Sequence, residues 1–502
     1  MKLQNYFLLT VFCISFPSYS QLRLPPFFTD HMVLQRDLLI PIQGKGTPKS
    51  SIVVRFGSEQ YRTQVLQDST WRVILKKQQA NTLGQALTIK NKNEQITLND
   101  VLVGDLWLCI GQSNMEWPLK NESHYNEELN AVHQPLLRFY NTTYAGKNSY
   151  NQKFTDSLLK LLNPKDFYQG KWEVSNPKSA PEMSAVGYYF GKKILQEEEI
   201  PIGLIHMAIG GAPIEAFIRP QTLRRHPLFK SKMKGNWLYN EALPVWIRER
   251  GIQNLGDLNP LHKNTEGPHH AFQPGFAYTA GIKPLSQIPI KGILWYQGES
   301  NAQEWERVLE YNSLQKLMID DFRAQWKQPK LPFYWVQLSS IDSTQYKSHF
   351  WPEFRNEQRK ALDRIAYGGM AVSSDLGSKN DVHPRNKKEI GNRLARWALN
   401  KTYKKEVLPS GPLPKEALFK NGKIIVTFHH FGKELQTSDG SAVRGFSIDK
   451  KTELEAVLRK AQVELFTKTK PEFIYYGWQP FSTANLVNSE NLPTSTFKLK
   501  VK

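Results

Sequence analysis

The chain has 502 residues, 40% of them hydrophobic and 12% aromatic, and this composition excludes an intrinsically disordered protein. Its formal net charge of +20 at pH 7 is spread along the chain without an arginine-rich block or a nucleic-acid-binding motif, so we expect no nucleic-acid partner. After residue 20, no segment is long and apolar enough for a membrane-spanning helix.

The first 20 residues have the pattern of a secretion signal. Lys2 precedes an apolar centre from Tyr6 to Phe16, and the small residues Ser18 and Ser20 follow it. We therefore expect an exported protein, periplasmic or extracellular, whose mature part begins near Gln21.

Residues 21–100 are predicted to form a small N-terminal β domain. Short runs rich in β-branched and aromatic residues alternate there with turn formers. The runs are Ser51–Phe56, Trp71–Leu75 and Ala86–Lys90.

Residues 101–405 are predicted to form an α/β domain, because strands alternate with helices as in a parallel sheet covered on both faces. The predicted strands are Val101–Ile110, Gly203–Ile209, Ile290–Tyr296, Pro332–Leu338 and Met370–Ser374. The predicted helices are Ser184–Glu199, a long one that carries Trp305 to Phe322, and Arg385–Leu399. Residues 220–285 are predicted to be an irregular excursion that lines or covers a site.

Residues 406–502 are predicted to form a C-terminal β region. The β pattern returns after Pro412 and Pro414 and continues to the end of the chain. Its predicted strands are Ile424–Phe428, Val463–Phe466, Phe473–Tyr476 and Phe497–Val501.

Ser113 is the candidate nucleophile of the α/β domain. It lies just beyond the first buried strand, at the edge where open parallel sheets place their ligands. A serine before a helix is by itself most often a helix cap, so the catalytic reading requires a base and oxyanion donors elsewhere in the chain.

His383 is the candidate base, and Asp381 is its candidate carboxylate. Both precede the last predicted helix, where the chain leaves the same edge of the sheet. A histidine can take the proton of a serine hydroxyl while a carboxylate holds its ring and tautomer. The chain order Ser, Asp, His favours this reading over a simple surface turn.

Candidate oxyanion donors follow the second and third strands. The backbone N–H groups of Ser113 and Gly211 are two of them, since glycine lets the main chain approach a substrate closely. A side-chain amide, from Gln297 or Asn301, is a candidate third donor.

Four motifs together carry a resemblance to a known family. They resemble those of the sialate O-acetylesterases, and the flanking stretches 27–37 and 475–493 resemble the terminal β regions of that family. The similarity covers nearly the whole mature chain, and the four motifs in this order are specific where each alone is weak. The motifs are GQSNM at 111–115, GGAPIEAF at 210–217, WYQGESNA at 295–302 and DVHP at 381–384.

The resemblance implies a flavodoxin-like α/β/α fold of the SGNH-hydrolase type. It implies Ser113 as nucleophile through an acetyl-serine intermediate, His383 as base and Asp381 as its partner, with no metal and no cofactor. In the superfamily the acid precedes the histidine by three residues, whereas Asp381 precedes it by two. Asp375 therefore stays an alternative acid, and so does a site without one.

The resemblance also bears on substrate contacts. Gln112, Asn114 and Glu299 are predicted to bind the substrate, with Glu299 having the alternative role of fixing the geometry of the site by hydrogen bonds. The third block of the superfamily reads Gly-x-Asn-Asp, whereas this chain has Gly298-Glu299-Ser300-Asn301. Which amide reaches the oxyanion stays open.

The predicted function is therefore a serine esterase that removes O-acetyl groups from carbohydrates. Acetylated sialic acids are the substrates that the resemblance implies, and acetylated plant polysaccharide such as acetylxylan is the alternative. A non-catalytic glycan-binding protein is the alternative from another class. The sequence makes no prediction of the oligomeric state.

Overall fold

The computed structural model describes residues 21–149, 151–256 and 266–502, so the predicted secretion signal lies outside the described residues. Two hydrophobic cores form within the described part. One includes side chains from Leu22 to Leu399, and the other includes side chains from Ala417 to Val501. The N-terminal β region therefore shares its core with the α/β region, while the C-terminal β region has its own.

Strands of the first 111 residues lead into the centre of the molecule. They are β1 (Val33–Gln35), β2 (Ile40–Lys45), β3 (Ser51–Phe56), β4 (Glu59–Gln64), β5 (Thr70–Leu75), β6 (Asn81–Lys90) and β7 (Gln95–Gly111). The strands of the α/β region that follow are β8 (Gln134–Asn141), β9 (Thr143–Tyr144), β10 (Tyr168–Gln169), β11 (Trp172–Ser175), β12 (Ile202–His206), β13 (Gly292–Tyr296), β14 (Phe333–Val336) and β15 (Gly368–Ala371).

The central sheet has the strand order β11-β8-β12-β7-β13-β14-β15. All neighbours run parallel except the edge strand β11, which is antiparallel to β8. Because β12, β13 and β14 are buried at every residue, they read as continuous apolar runs in the sequence. The carboxyl ends of the parallel strands meet at one edge, which is where chemistry is expected in such sheets.

β7 connects the N-terminal β region to this sheet. Its first part pairs with β6 and β1, and its last part pairs with β12 and β13. The predicted boundary between residues 100 and 101 thus falls inside one continuous strand. The chain is an α/β protein with additional β regions.

Ten α-helices are described, and the longest cover the central sheet. α4 contacts α10 and β12, α8 contacts α9, and α9 and α10 both contact β15. The helices are α1 (Ser113–Glu116), α2 (Tyr125–Glu128), α3 (Asp156–Leu161), α4 (Ala185–Glu198), α5 (Pro220–Arg225), α6 (Val245–Leu255), α7 (Lys283–Leu285), α8 (Trp305–Trp326), α9 (Trp351–Arg364) and α10 (Lys387–Trp397). Within the described ranges, no helix has the length and apolar character needed to cross a membrane.

The C-terminal β region consists of small sheets. Their orders are β16-β17-β21-β20, β18-β23 and β19-β22-β24. The strands are β16 (Leu413–Lys420), β17 (Lys423–His429), β18 (Leu435–Thr437), β19 (Phe446–Ser447), β20 (Ala456–Arg459), β21 (Gln462–Phe466), β22 (Phe473–Tyr476), β23 (Leu486–Asn488) and β24 (Phe497–Lys500).

The prediction of an irregular excursion over residues 220–285 was wrong in part. That stretch contains α5, α6 and α7, and a π-helical turn at Tyr278–Ile282 leads into α7. Its many Pro, Gly and Asn residues, some of them within the helices themselves, obscure the helical periodicity. Residues 257–265 lie outside the described residues.

Candidate active site

Ser113 is placed by the close pairing of the end of β7 with the end of β13, its parallel neighbour. The Gln112 N–H donates to the Tyr296 carbonyl over 2.9 Å, and α1 begins at the next residue. Gly111 has φ 138°, and a Cβ at this position would lie 2.0 Å from the Tyr296 carbonyl oxygen. Only glycine fits at this position between the two strands. The chain turns sharply there and places the serine at the end of β7.

His383 lies against Ser113. Its Nε2 is 2.8 Å from Ser113 Oγ, and its ring stacks on Trp117 with 5.3 Å between the ring centroids. If the serine hydroxyl donates to Nε2, the imidazole proton is on Nδ1. The structure thus brings the candidate nucleophile and the candidate base into direct contact.

The surroundings of His383 favour a neutral imidazole. Burial and the positive charge of Lys387 lower its pKa to about 4, although the carboxylate of Asp381 acts in the opposite direction. A neutral imidazole is the form that accepts a proton.

Asp381 lies next to His383 but is loosely held. Its Oδ1 accepts the backbone N–H of His383 over 2.9 Å and lies 3.5 Å from Nδ1 of the ring, while 45% of the side chain is exposed. Asp375, the alternative acid, is not in this position. Both of its carboxylate oxygens pair with Arg393 over 2.7 Å, and this pairing holds it away from the imidazole.

Ser113 and Gly211, the two candidate backbone donors, line the same cavity. Gly211 has φ 72°, and its carbonyl accepts the Ser300 hydroxyl over 2.8 Å. In the described part of the chain, the N–H groups of Ser113 and Gly211 have no protein acceptor. Both are therefore free to bind a ligand oxygen.

The two candidate side-chain amides, those of Gln297 and Asn301, do not line this cavity and bind other protein groups. Gln297 Nε2 donates to Asn301 Oδ1 over 2.8 Å and to the Ala212 carbonyl over 3.3 Å. Asn301 Nδ2 donates to the buried carboxylate of Glu215 over 3.0 Å. Both amides are completely buried, and acceptors within the protein satisfy them.

The cavity beside Ser113 has a volume of about 530 Å³, enough for a small sugar. It lies between the nucleophile turn, helix α6 and the loop that follows β14. Its lining includes Ser113, Gly211, Trp246, Arg250, Glu299, Tyr346 and His383. Among the residues that the structure describes, no group of three His, Cys, Asp or Glu side chains is arranged to hold a metal ion.

Comparisons with known proteins identify carbohydrate esterases as similar to this chain. A family model described as carbohydrate esterase, sialic acid-specific acetylesterase, matches residues 273–400. The chain is 30% identical to a carbohydrate acetylesterase from Xanthomonas citri of known structure, with 96% of this chain and 100% of that chain covered and a TM-score of 0.78. The chain belongs to the sialate O-acetylesterase family.

Curated members of the family from mammals are more distant in sequence. The chain is 27% identical to the sialate O-acetylesterase of Mus musculus over 441 residues, which cover 81% of this chain and 79% of that protein. It is 26% identical to that of Homo sapiens over 437 residues, which cover 81% and 76% respectively. Membership of this family makes the protein a carbohydrate esterase, and hence a hydrolase.

Three further residues of the family motifs were predicted to contact the substrate. Gln112 lines the cavity, and its Oε1 accepts the backbone N–H groups of Gly298 and Ser300, each over 3.3 Å. Glu299 also lines the cavity, and burial raises its pKa. Asn114 does not line it, because its side chain is buried among protein groups.

Lys387, Trp246 and Tyr346 also lie at the site, and none of them was predicted from the sequence. Lys387 stands at the start of α10, where the helix dipole disfavours a positive charge. A lysine at the start of a predicted helix is a feature of the sequence that could have indicated a special role. Trp246 and Tyr346 reach the cavity from a short helix and from a loop. Trp246 follows no strand of the central sheet directly, and Tyr346 lies in the loop after β14 but far from the end of the strand, so a search at the strand ends does not find them.

Proposed function

We propose that this protein is a serine carbohydrate esterase that removes O-acetyl groups from acetylated sialic acids. The observation that carries this proposal is the 2.8 Å contact between Ser113 Oγ and His383 Nε2 on the wall of a sugar-sized cavity. Membership of the sialate O-acetylesterase family supports the substrate class.

The proposed reaction has two stages. Ser113 Oγ attacks the acetyl carbonyl carbon while its proton passes to His383 Nε2, and the N–H groups of Ser113 and Gly211 bind the oxyanion that forms. The bond to the sugar oxygen then breaks, and His383 returns the proton to that oxygen. In the second stage, water gives a proton to His383 as it attacks the acetyl carbonyl carbon. The bond to Ser113 Oγ then breaks, His383 returns the proton to Oγ, and acetic acid leaves and ionises to acetate.

The finer architecture is part of the proposal. A mostly parallel sheet with the nucleophile after β7 and the histidine before α10 fits the α/β/α arrangement of SGNH-type hydrolases. We likewise propose export of the protein, on the basis of the signal-like residues 1–20. Cell fractionation tests export independently of activity.

Acetate release tests the function. Ser113→Ala is expected to release no acetate from any substrate and to melt near the wild-type temperature, because the hydroxyl is small and its loss leaves no large cavity. Ser58→Ala, in the exposed turn between β3 and β4, is the matched control and is expected to keep full activity. Appreciable turnover by Ser113→Ala would contradict the assignment.

A substrate panel tests the substrate class. Acetylated sialic acids, acetylxylan and acetylated neutral monosaccharides are compared by kcat/KM, and we expect the acetylated sialic acids to give the highest value. A higher value for acetylxylan would move the substrate class to plant polysaccharide. No acetate from any of them, nor from an aryl acetate, would favour the glycan-binding alternative.

A further inference from the structure

Lys387 is a buried lysine in an unfavourable place. It is the first residue of α10, and its side chain has no exposed surface. Burial disfavours an ammonium group, and the positive end of the helix dipole disfavours it again. A residue that is disfavoured both by its burial and by the helix dipole is typical of a functional site.

The ammonium group of Lys387 has specific partners. Its Nζ donates to Asn114 Oδ1, and it lies 5.6 Å from the ring centroid of Trp117 and 5.5 Å from that of Tyr296. These rings attract a cation that has lost its water shell. Trp117 is also the ring on which His383 stacks, so one indole contacts both the lysine and the candidate base.

Asn114 links the nucleophile turn to the histidine segment. It follows Ser113 directly, and its Nδ2 donates to Glu299 and, over 3.0 Å, to the carbonyl of Val382. Val382 directly precedes His383. Only one orientation of the amide is possible, because an ammonium only donates while a carbonyl only accepts.

We propose that Lys387 is a positioning residue, which through Asn114 fixes the separation of Ser113 from His383. This inference rests on the proposed function, since it deepens the account of the same site. Lys387 and Asn114 do not line the cavity, and so they are not expected to touch the substrate.

The charges around the two groups agree with this role. Lys387 lowers the pKa of His383, in the same direction as burial. The pKa of Lys387 is itself lowered to about 7 by burial, against the opposing effect of nearby carboxylates, so the ammonium is charged throughout the acidic range. The carboxylates near Lys387 are Glu299, Asp381 and Glu122, and the phenol of Tyr346 faces the first two of them.

The test is Lys387→Met, which removes the charge and keeps a long side chain. With an aryl acetate as substrate, we expect kcat to fall about 100-fold and KM to stay within about twofold, because misplacing a catalytic pair costs rate rather than binding. The acid limb of the pH profile of kcat/KM is expected to move to higher pH, because the charge that lowers the pKa of His383 is gone. A role in folding alone would not move this limb.

Two variants control for charge and fit. Lys388→Met removes the same formal charge from the next residue, which is partly exposed, and is expected to leave kcat and the acid limb unchanged. Lys387→Arg keeps the charge but replaces the compact ammonium by a planar group. We expect it to lower kcat while the acid limb stays in place.

Asn114→Ala separately tests the link between Lys387 and the Ser113–His383 pair. This variant keeps the proposal testable even if Lys387→Met does not fold. It removes the three hydrogen bonds but leaves the lysine, so kcat is expected to fall without a change in KM. The inference is overturned if kcat of Asn114→Ala, or of a folded Lys387→Met, stays within about twofold of wild type. It is also overturned if the loss of activity appears in KM, or if the acid limb of the pH profile of Lys387→Met does not move. Activity in Ser113→Ala would instead overturn the proposed function, and the two failures are thereby distinguished.

Discussion

The protonation state of His383 controls the proposed chemistry at the scale of single residues. An ordinary histidine has a pKa of about 6.5 and is mostly charged in mild acid. Here burial and Lys387 lower the pKa to about 4, and the imidazole stays neutral over a wider range. A base of this kind keeps its function in acidic surroundings.

The pH profile of the wild-type enzyme tests this directly. Only the neutral imidazole accepts the serine proton, so kcat/KM is expected to fall as the pH drops through about 4, the lowered pKa of His383. Initial rates with an aryl acetate from pH 3 to pH 8, on enzyme preincubated at each pH and returned to pH 7, separate titration from unfolding. An acid limb at about pH 6.5 would show that burial does not lower the pKa.

Asp381 is expected to contribute modestly. Its carboxylate is 45% exposed and 3.5 Å from Nδ1, a weaker contact than a buried hydrogen bond. Asp381→Asn should lower kcat by less than about 100-fold, and should move the acid limb to lower pH because the carboxylate raises the pKa of His383.

Asp375→Asn is the matched control for that variant. It is expected to keep kcat within about twofold, and to melt at a lower temperature because it loses the paired contact with Arg393. If Asp375→Asn instead lowered kcat and shifted the acid limb, Asp375 rather than Asp381 would be the carboxylate partner of His383.

At the scale of elements, the close pairing of the ends of β7 and β13 sets the position of the nucleophile. Gly111→Ala would bring a Cβ within 2.0 Å of the Tyr296 carbonyl at φ 138°, and neither backbone has room to move within the sheet. We expect it to lower the free energy of unfolding by about 2–4 kcal/mol, measured by urea denaturation.

Gly57→Ala separates the cost of the backbone conformation from that of the clash. Gly57 has φ 58° in the turn between β3 and β4, and a Cβ there would meet only the flexible end of Gln85. Its expected cost is about 1 kcal/mol. Equal losses of unfolding free energy in Gly57→Ala and Gly111→Ala would contradict the close approach of β7 and β13 at Gly111.

Local patterns predicted the elements that are apolar throughout or that follow a simple period. β12, β13 and β14 have apolar sequences because they are buried on both sides, and they were found to within a few residues. α9 was missed because its buried face carries Arg355 and Gln358, which hydrogen-bond to other segments. A polar residue on the inner face of a helix has no signature in a periodic pattern.

The candidate site, too, could be predicted from the sequence only in part. Ser113, Gly211 and His383 follow from strand ends and glycines, which fix where a residue lies. The direction of an amide depends on partners that are distant in sequence, so the sequence does not show that Gln297 donates to Asn301 or that Asn301 donates to Glu215. The sequence predicts positions at the edge of the sheet better than it predicts orientations.

Arg355 joins the C-terminal β region to the α/β region at the scale of the whole molecule. Its guanidinium is completely buried in α9 and donates to the carbonyls of Gly477, Gln479 and Pro480. Glu353, the carboxylate that acts on its pKa, pairs with Lys450 instead. Burial lowers its pKa to about 9, and carbonyl oxygens take the place of an ion-pair partner.

Arg355→Met is expected to loosen this connection. Three carbonyls would lose their donor in a buried place, at a cost of about 3 kcal/mol or more. Hydrogen exchange should then rise first in the segment 477–480 and in β24, which packs on α9, while the central sheet stays protected. Lys360→Met, on the exposed side of the same helix, is the control, and uniform exchange across both regions would contradict the connection.

Covalent labelling of the nucleophile tests the central claim most directly. A fluorophosphonate reacts with a serine that an adjacent base activates, and intact mass followed by peptide mapping identifies the modified residue. We expect one label per chain, on Ser113, and loss of the label in His383→Ala. A label on another serine, or equal labelling of Ser113 without His383, would contradict the proposed pair.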